Sequence, residues 1–273
     1  MAASAPTTPA ENGSTLKSFF AGITIIVLAI LATIIFKFVL GNPSNFEGGD
    51  PDGHPLPGNF LGVIYKGGFI VPILMTFLLM VITFSVERFI TLQRANGNGS
   101  IDAFVRKIKS MLAANNVAGA MAECDRQKGS VGNVIKSVLG KYNEMSNERE
   151  MAKDQKVLSI QKELEDSTAL ELPMLEKNLT IVATLASVAT LVGLLGTVMG
   201  MIKAFAALAN AGAPDTAALS TGISEALINT AFGIGTSALA IIAYNFFTSK
   251  IDTLTYSIDE VGFSIMQNFG SKN

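Results

Sequence analysis

No charged residue interrupts the 24 residues from Leu179 to Ile202, or the 24 from Ala226 to Ser249. About 20 apolar residues in helical form are enough to cross the hydrocarbon core of a bilayer. Two further runs approach that length: Ser18 to Leu40, broken only by Lys37, and Phe69 to Val86, which ends at Glu87-Arg88. At membrane depth every backbone N–H and C=O must find a partner within the protein, so each run is expected to be a helix. The composition agrees, because 49% hydrophobic and 15% charged residues are too apolar for an ordinary soluble domain. The expected fold is all-α and polytopic, with long transmembrane helices extending into a helical cytoplasmic domain.

Lysine and arginine counts give an orientation. Fourteen fall between Arg88 and Lys177, none between Gly41 and Tyr65, and none between Ala204 and Thr248. The positive-inside rule then puts the middle of the chain and both termini in the cytoplasm. The first run exceeds a signal-peptide core, only Lys17 precedes it as a positive charge, and no small-x-small cleavage site follows. Gly41-Asn42-Pro43 reads as a helix stop, so this run is expected to be an uncleaved anchor. The resulting division is a cytoplasmic tail (1–17), an extra amino-terminal span (18–40), a periplasmic loop (41–65) and a second span (66–92). A helical cytoplasmic domain (93–178), a third span (179–209), a periplasmic link (210–221), a fourth span (222–249) and a cytoplasmic tail (250–273) follow.

The cytoplasmic middle has turn clusters at Asn96–Ser100 and near Lys128-Gly129-Ser130, with Ser100 a candidate cap for the helix after it. Apolar residues recur at helical spacing through Phe104, Val105, Ile108, Met111 and Leu112, then through Val134, Ile135, Val138 and Leu139. Glu148 to Leu172 is charged and lacks glycine, which predicts a long helix running into the third span as one rod, with Pro173 as the place for a bend. Lys162, Glu163 and Glu165 read as a solvated face. The single cysteine, Cys124, excludes an intrachain disulfide framework, and the single histidine, His54, lies in a Pro/Gly-rich loop. Nothing resembles a metal site, a phosphate-binding loop, a nucleophile constellation or a cofactor box. A net charge of −2 offers no field for nucleic acid. No catalytic, cofactor-binding or metal-ligating residue is therefore expected, and an enzyme reading has no support.

The third and fourth spans carry residues that lipid does not reward. Thr180, Thr184, Ser187, Thr190 and Thr197 fall within an arc of about 140° on an ideal helix. Gly193, Gly196 and Gly200 add the small-residue spacing that lets helices approach closely. On the fourth span Thr221, Glu225, Asn229, Gly233, Thr236 and Tyr244 share one face, with Thr230 and Ser237 at its margin. Two such faces can line a common cavity, or the hydroxyls can simply bond to carbonyls four residues back while the helices pack. Glu225 stands apart, since an ionisable group at a span is by default a functional candidate. Lys203 either snorkels to the interface or meets an acidic partner or lipid head group. No carboxylate lies in the middle of any span, and a hydroxyl holds its proton too tightly to titrate at neutral pH. If protons cross here, a second polypeptide supplies the acid and this chain supplies its polar seat.

LVGLLGTVMGMIKAF, GISEALINTAFGIGTSALAIIAYNFF and SVERFITL together resemble the helix signatures of the MotA/TolQ/ExbB proton-channel family, its ExbB branch most. The resemblance covers about Pro72 to Gly262 and is sharpest over Leu179–Asn245. It implies a pentameric helical channel in the bacterial inner membrane around a dimer of a single-span, ExbD-like partner that carries the proton-binding aspartate. By matching position it implies that Thr197, Glu225 and Thr230 line the proton route; Asn229 and Thr190 join them on the same polar faces. Many members have proline where this chain has Thr190, and the typical ExbB has three spans rather than four. The implied output is work passed to a TonB-like protein that energises outer-membrane uptake, with no cofactor and with membrane lipids as the surroundings. A TolQ-like envelope-stability motor, a gliding or flagellar-type stator and a non-conducting scaffold remain alternatives, and neither the residues nor the resemblance selects protons over sodium.

Overall fold

The computed structural model describes residues 12–209 and 215–272, with side chains from residue 22 onward. Residues 1–11 of the expected tail and 210–214 of the expected link lie outside the described residues. The helices are α1 (Asn12–Ile35), α2 (Phe60–Tyr65), α3 (Ile70–Asn96), α4 (Ile101–Ala113), α5 (Val117–Gln127), α6 (Gly129–Asn147), α7 (Lys153–Glu176), α8 (Leu179–Ala209) and α9 (Thr216–Lys272). No β-strand occurs among the described residues. The run Gly22–Leu40 and helices α3, α8 and α9 are long and apolar enough to cross a membrane. The protein is thus all-α and polytopic. Two compact units form: residues up to Thr83 with Ala183–Ile241, and Phe84–Val182 with Ile242–Asn273.

In the first unit α1 ends in a single π turn, Phe36–Leu40, closed by the Gly41 N–H donating to the Phe36 carbonyl at 2.9 Å. The helix stop falls at Gly41-Asn42-Pro43, where the Asn42 side chain caps a 3-10 turn over Pro43–Asn45. The loop beyond is more ordered than its Pro/Gly content suggests. Buried Asn45 donates to the Val39 and Leu40 carbonyls at 2.8 and 2.9 Å and accepts from Asn59 at 3.0 Å. Tyr65 stacks on Phe36 with centroids 4.7 Å apart and meets Phe46 edge-on at 5.4 Å. The Lys66 ammonium donates to the Pro51 and Asp52 carbonyls at 2.9 and 2.8 Å. Aromatic contacts and satisfied backbone groups together hold the loop against the ends of two helices.

α8 and α9 pack along a seam of small residues. A Cβ on Gly193 would lie 2.9 Å from the Asn229 carbonyl oxygen, and one on Gly233 only 2.6 Å from that of Ala189. Away from this seam α8 exposes Leu191, Leu194, Leu195, Val198 and Ile202, each at least half accessible. Such a surface needs lipid or another subunit to cover it.

The second unit has a continuous core. Ile108 and Leu112 of α4, Ile135 and Leu139 of α6, Ile160 of α7, and Ile258, Ile265 and Phe269 of α9 are all essentially inaccessible. The apolar positions expected on α4 and α6 from their helical spacing supply much of it, apart from Met111, which is only partly buried. Ser100 occupies the N-cap of α4, but through its carbonyl, which accepts from the Phe104 N–H at 3.1 Å; its side chain makes no capping bond. Polar ties lock the ends of elements: Asn268 accepts from the Tyr142 hydroxyl at 3.0 Å and donates to the Leu112 carbonyl at 2.9 Å.

One expectation needs correction here. α7 runs through Pro173 to Glu176 without ending at the proline, and it does not continue into α8 as one rod. Asn178 adopts a left-handed backbone (φ 65°) between them, a conformation asparagine tolerates better than most residues. The break is held by Arg88, 1% exposed, whose guanidinium donates to the Met174 and Leu175 carbonyls at 2.9 Å each. These are carbonyls of the last turn of α7, which have no partner within the helix. The same guanidinium grips Glu87 at 2.6 and 2.8 Å, and Asn178 donates to that carboxylate at 3.2 Å.

Cys124, on α5, is turned into the protein. It is 2% exposed in the second unit's core, and burial, aided by the neighbouring Asp125 carboxylate, pushes its thiol up to about 12. The thiolate is the reactive form. Incubation of the folded protein with an aromatic disulfide reagent at pH 8 should therefore release no chromophore until denaturant is added. Rapid stoichiometric release from the folded protein would contradict this placement.

Candidate functional site

The polar residues singled out in the third and fourth spans do not all meet. Thr197 of α8 and Thr230 of α9 do: their hydroxyl oxygens contact one another across the seam. Each also has a carbonyl four residues back within reach, Gly193 at 3.3 Å for Thr197 and Ala226 at 3.2 Å for Thr230. Thr197 lies 3.5 Å from that same Ala226 carbonyl, so both hydroxyls converge on one acceptor. The glycine seam causes this, because α8 and α9 must approach to backbone distance for two short side chains to touch. Packing and polar convergence are thus one arrangement here.

Asn229, wholly buried, packs its side chain against Gly196 of α8 and donates its amide to the Gly67 carbonyl at 2.9 Å. Among the described residues its Oδ1 is buried without a hydrogen-bond partner, as is the Thr236 hydroxyl seven residues along α9. Thr190 lies exposed on α8, two turns from Thr197, and is not brought into the cluster. Ser237, at the margin of the α9 face, donates to the Ala186 carbonyl and adds a tie across the seam.

Glu225 is 6% exposed and accepts from the Lys203 ammonium at 2.7 Å. The acidic partner weighed for Lys203 therefore belongs to its own chain, 22 residues away. A buried carboxylate without a cation would be costly, and the lysine, about half exposed, neutralises it. The Gly67–Gly68 turn closes over this pair. Gly68 has φ 75°, and a Cβ there would sit 2.5 Å from Glu225 Oε1, so only glycine fits. Glu225 and Asn229 thus both contact the turn that precedes α3.

The sequence offers Lys203 an interface, an acidic partner or a lipid head group, marks Arg88 only as the end of an apolar run, and gives no signal for Gly67 or Gly68. A positive charge beside an apolar run reads as an orientation signal, and no local pattern marks it as buried or paired. Among the described residues no group of His, Cys, Asp and Glu is placed to hold a metal ion. Chemically, two hydroxyls sharing carbonyl acceptors can relay a hydrogen bond but cannot hold a titrating proton, and the nearby carboxylate is already paired.

Four runs long and apolar enough to cross a membrane, two of them packed through a seam of small and polar residues, define a multi-pass membrane protein. Residues 133–260 match the MotA/TolQ/ExbB proton channel family. The similarity to that family lies in this segment, which includes all of α8. It is 42% identical over 94 residues to an ExbB-like biopolymer transport protein of Helicobacter pylori, covering 34% of this chain and 62% of that one. A biopolymer transport protein ExbB of Helicobacter pylori is 40% identical over 94 residues, covering 34% and 64%. The Tol-Pal system protein TolQ of Pseudomonas aeruginosa is 41% identical over 80 residues, covering 29% and 35%. The matches thus span under two thirds of these relatives' own lengths.

Proposed function

We propose that this chain is an inner-membrane proton-channel and motor subunit of the ExbB type, with both termini in the cytoplasm. In this reading a homopentamer surrounds an ExbD-like single-span dimer and passes mechanical work to a TonB-like protein that energises outer-membrane uptake. The observation that carries it is the contact between the Thr197 and Thr230 hydroxyls, in spans without a carboxylate at mid-depth. A polar seat without a titrating acid calls for a partner's acid. Protonation neutralises that acid and lowers the cost of its contact with an apolar wall; deprotonation restores the cost, and relative rotation follows in steps. Glu225, Asn229 and Thr190 belong to the proposed lining. The biopolymer-transport names of the Helicobacter relatives support the ExbB reading.

The comparable identity to TolQ favours a second reading, an envelope-stability motor of the Tol-Pal kind built on the same seat. The two separate by phenotype: deletion should abolish siderophore or vitamin uptake in the first and sensitise the envelope to detergent in the second. The seat itself is tested by proton flux into liposomes holding the chain with its partner. Thr197→Val keeps the side-chain shape and removes the hydroxyl, and flux should fall by about tenfold or more, the effect of about 1.4 kcal/mol on a barrier. Wild-type flux from the normally assembled variant would sink the assignment.

A further inference from the structure

The second unit contains a cavity of about 330 Å³ that the proton path does not use, at the small end of the range for ligand sites. α3 lines it with Phe89 and Gln93, the start of α4 with Asp102, and α9 with Phe246, Lys250 and Ser257. Its depth is set by the sequence. Phe89 lies three residues beyond Val86, where the second apolar run ends, and Phe246 and Lys250 flank Ser249, where the fourth ends. The cavity therefore sits where hydrocarbon gives way to head groups. Phe89 and Phe246 leave about half their surface uncovered, 50% and 48%, beside a polar wall.

The charges are arranged unusually. Lys250 and Asp102 line the same cavity with opposite signs, yet among the described residues neither forms an ion pair. Lys250 instead holds its ammonium 5.9 Å from the centroid of the Phe246 ring. Two opposite charges that share a cavity without closing across it leave room for a molecule carrying both signs. We infer that this cavity binds the phosphoethanolamine head group of a membrane phospholipid. The phosphate takes Lys250, the primary ammonium donates to Asp102, and an acyl chain runs along Phe89 and Phe246. A trimethylated ammonium has no N–H to give Asp102, and an anionic glycerol head group has no positive charge for it.

The test uses the full chain, purified in detergent, stripped of lipid and exchanged into equimolar phosphatidylethanolamine, phosphatidylglycerol and phosphatidylcholine, with retained lipid read by native mass spectrometry. Phosphatidylethanolamine should be retained preferentially. Lys250→Gln and Asp102→Asn should each lower its retention about tenfold, the loss of one charge-assisted hydrogen bond, while Lys250→Arg should keep it. Equal or greater retention of phosphatidylglycerol overturns the inference, as does unchanged retention in both variants. Complete displacement by millimolar soluble phosphoethanolamine would assign the cavity to a solute and overturn the lipid.

Discussion

Arg88→Ala is expected to lower the unfolding free energy by about 3 kcal/mol, one of the largest effects of any single polar substitution in the second unit. The side chain is 1% exposed and makes four hydrogen bonds, two to the Glu87 carboxylate and two to the closing carbonyls of α7. Its removal strands those carbonyls and leaves Glu87 only the weaker bonds from Asn178 at 3.2 Å and Thr91 at 3.4 Å. Breaking a buried pair costs roughly 3–5 kcal/mol, and the lower end applies because Glu87 is 40% exposed. For a chain of this size that corresponds to a fall of roughly 6–12 °C in Tm, read by circular dichroism in detergent. Arg88→Lys should recover little, since an ammonium cannot grip a carboxylate with two N–H groups and still reach two carbonyls. A Tm for Arg88→Ala within 2 °C of the wild type, on the order of the effect of about 0.5 kcal/mol, would show that the break between α7 and α8 stands without it.

That break also marks where reading the sequence stops working. The long apolar runs were legible because membrane crossing depends on length and composition, which are local. The α8–α9 seam was legible for a similar reason: glycines at 193, 196 and 200 repeat on one helical face. Thr197 stands on the polar arc of the same helix, whereas its pairing with Thr230, at the margin of the other face, is implied by the family resemblance rather than by spacing. Arg88, by contrast, reaches a carbonyl 87 residues away, and Asn229 one that is 162 residues away. Neither contact leaves a periodic trace. The loop before α3 reads as irregular because its order comes from Asn45, Tyr65 and Lys66 meeting in space. The burial of Cys124 is hidden for the same reason: its neighbours in sequence are polar, whereas its neighbours in the fold are the core.

Gly233→Leu should produce the largest effect in the first unit, and it tests whether the seam and the polar seat are one arrangement. A Cβ at this position meets the Ala189 carbonyl oxygen at 2.6 Å and Gly193 Cα at 2.8 Å. Both are backbone atoms, so no rotamer change gives relief and the two helices must separate. Overpacking of this kind costs about 3 kcal/mol or more, and in a membrane close packing is a main source of helix association. Separation would also pull Thr230 from Thr197, so proton flux should be lost along with the contact. The contact is read directly by placing Thr197→Cys and Thr230→Cys in the same chain and oxidising. The native Cys124 does not interfere, because its buried thiol stays protonated. A disulfide should form in the double variant and fail to form when Gly233→Leu is added. Gly233→Ala, one carbon against the same backbone, should weaken cross-linking in part. If the disulfide forms equally well with leucine at 233, the helices are not held by the glycine seam. The pairing of the two hydroxyls would then need another cause.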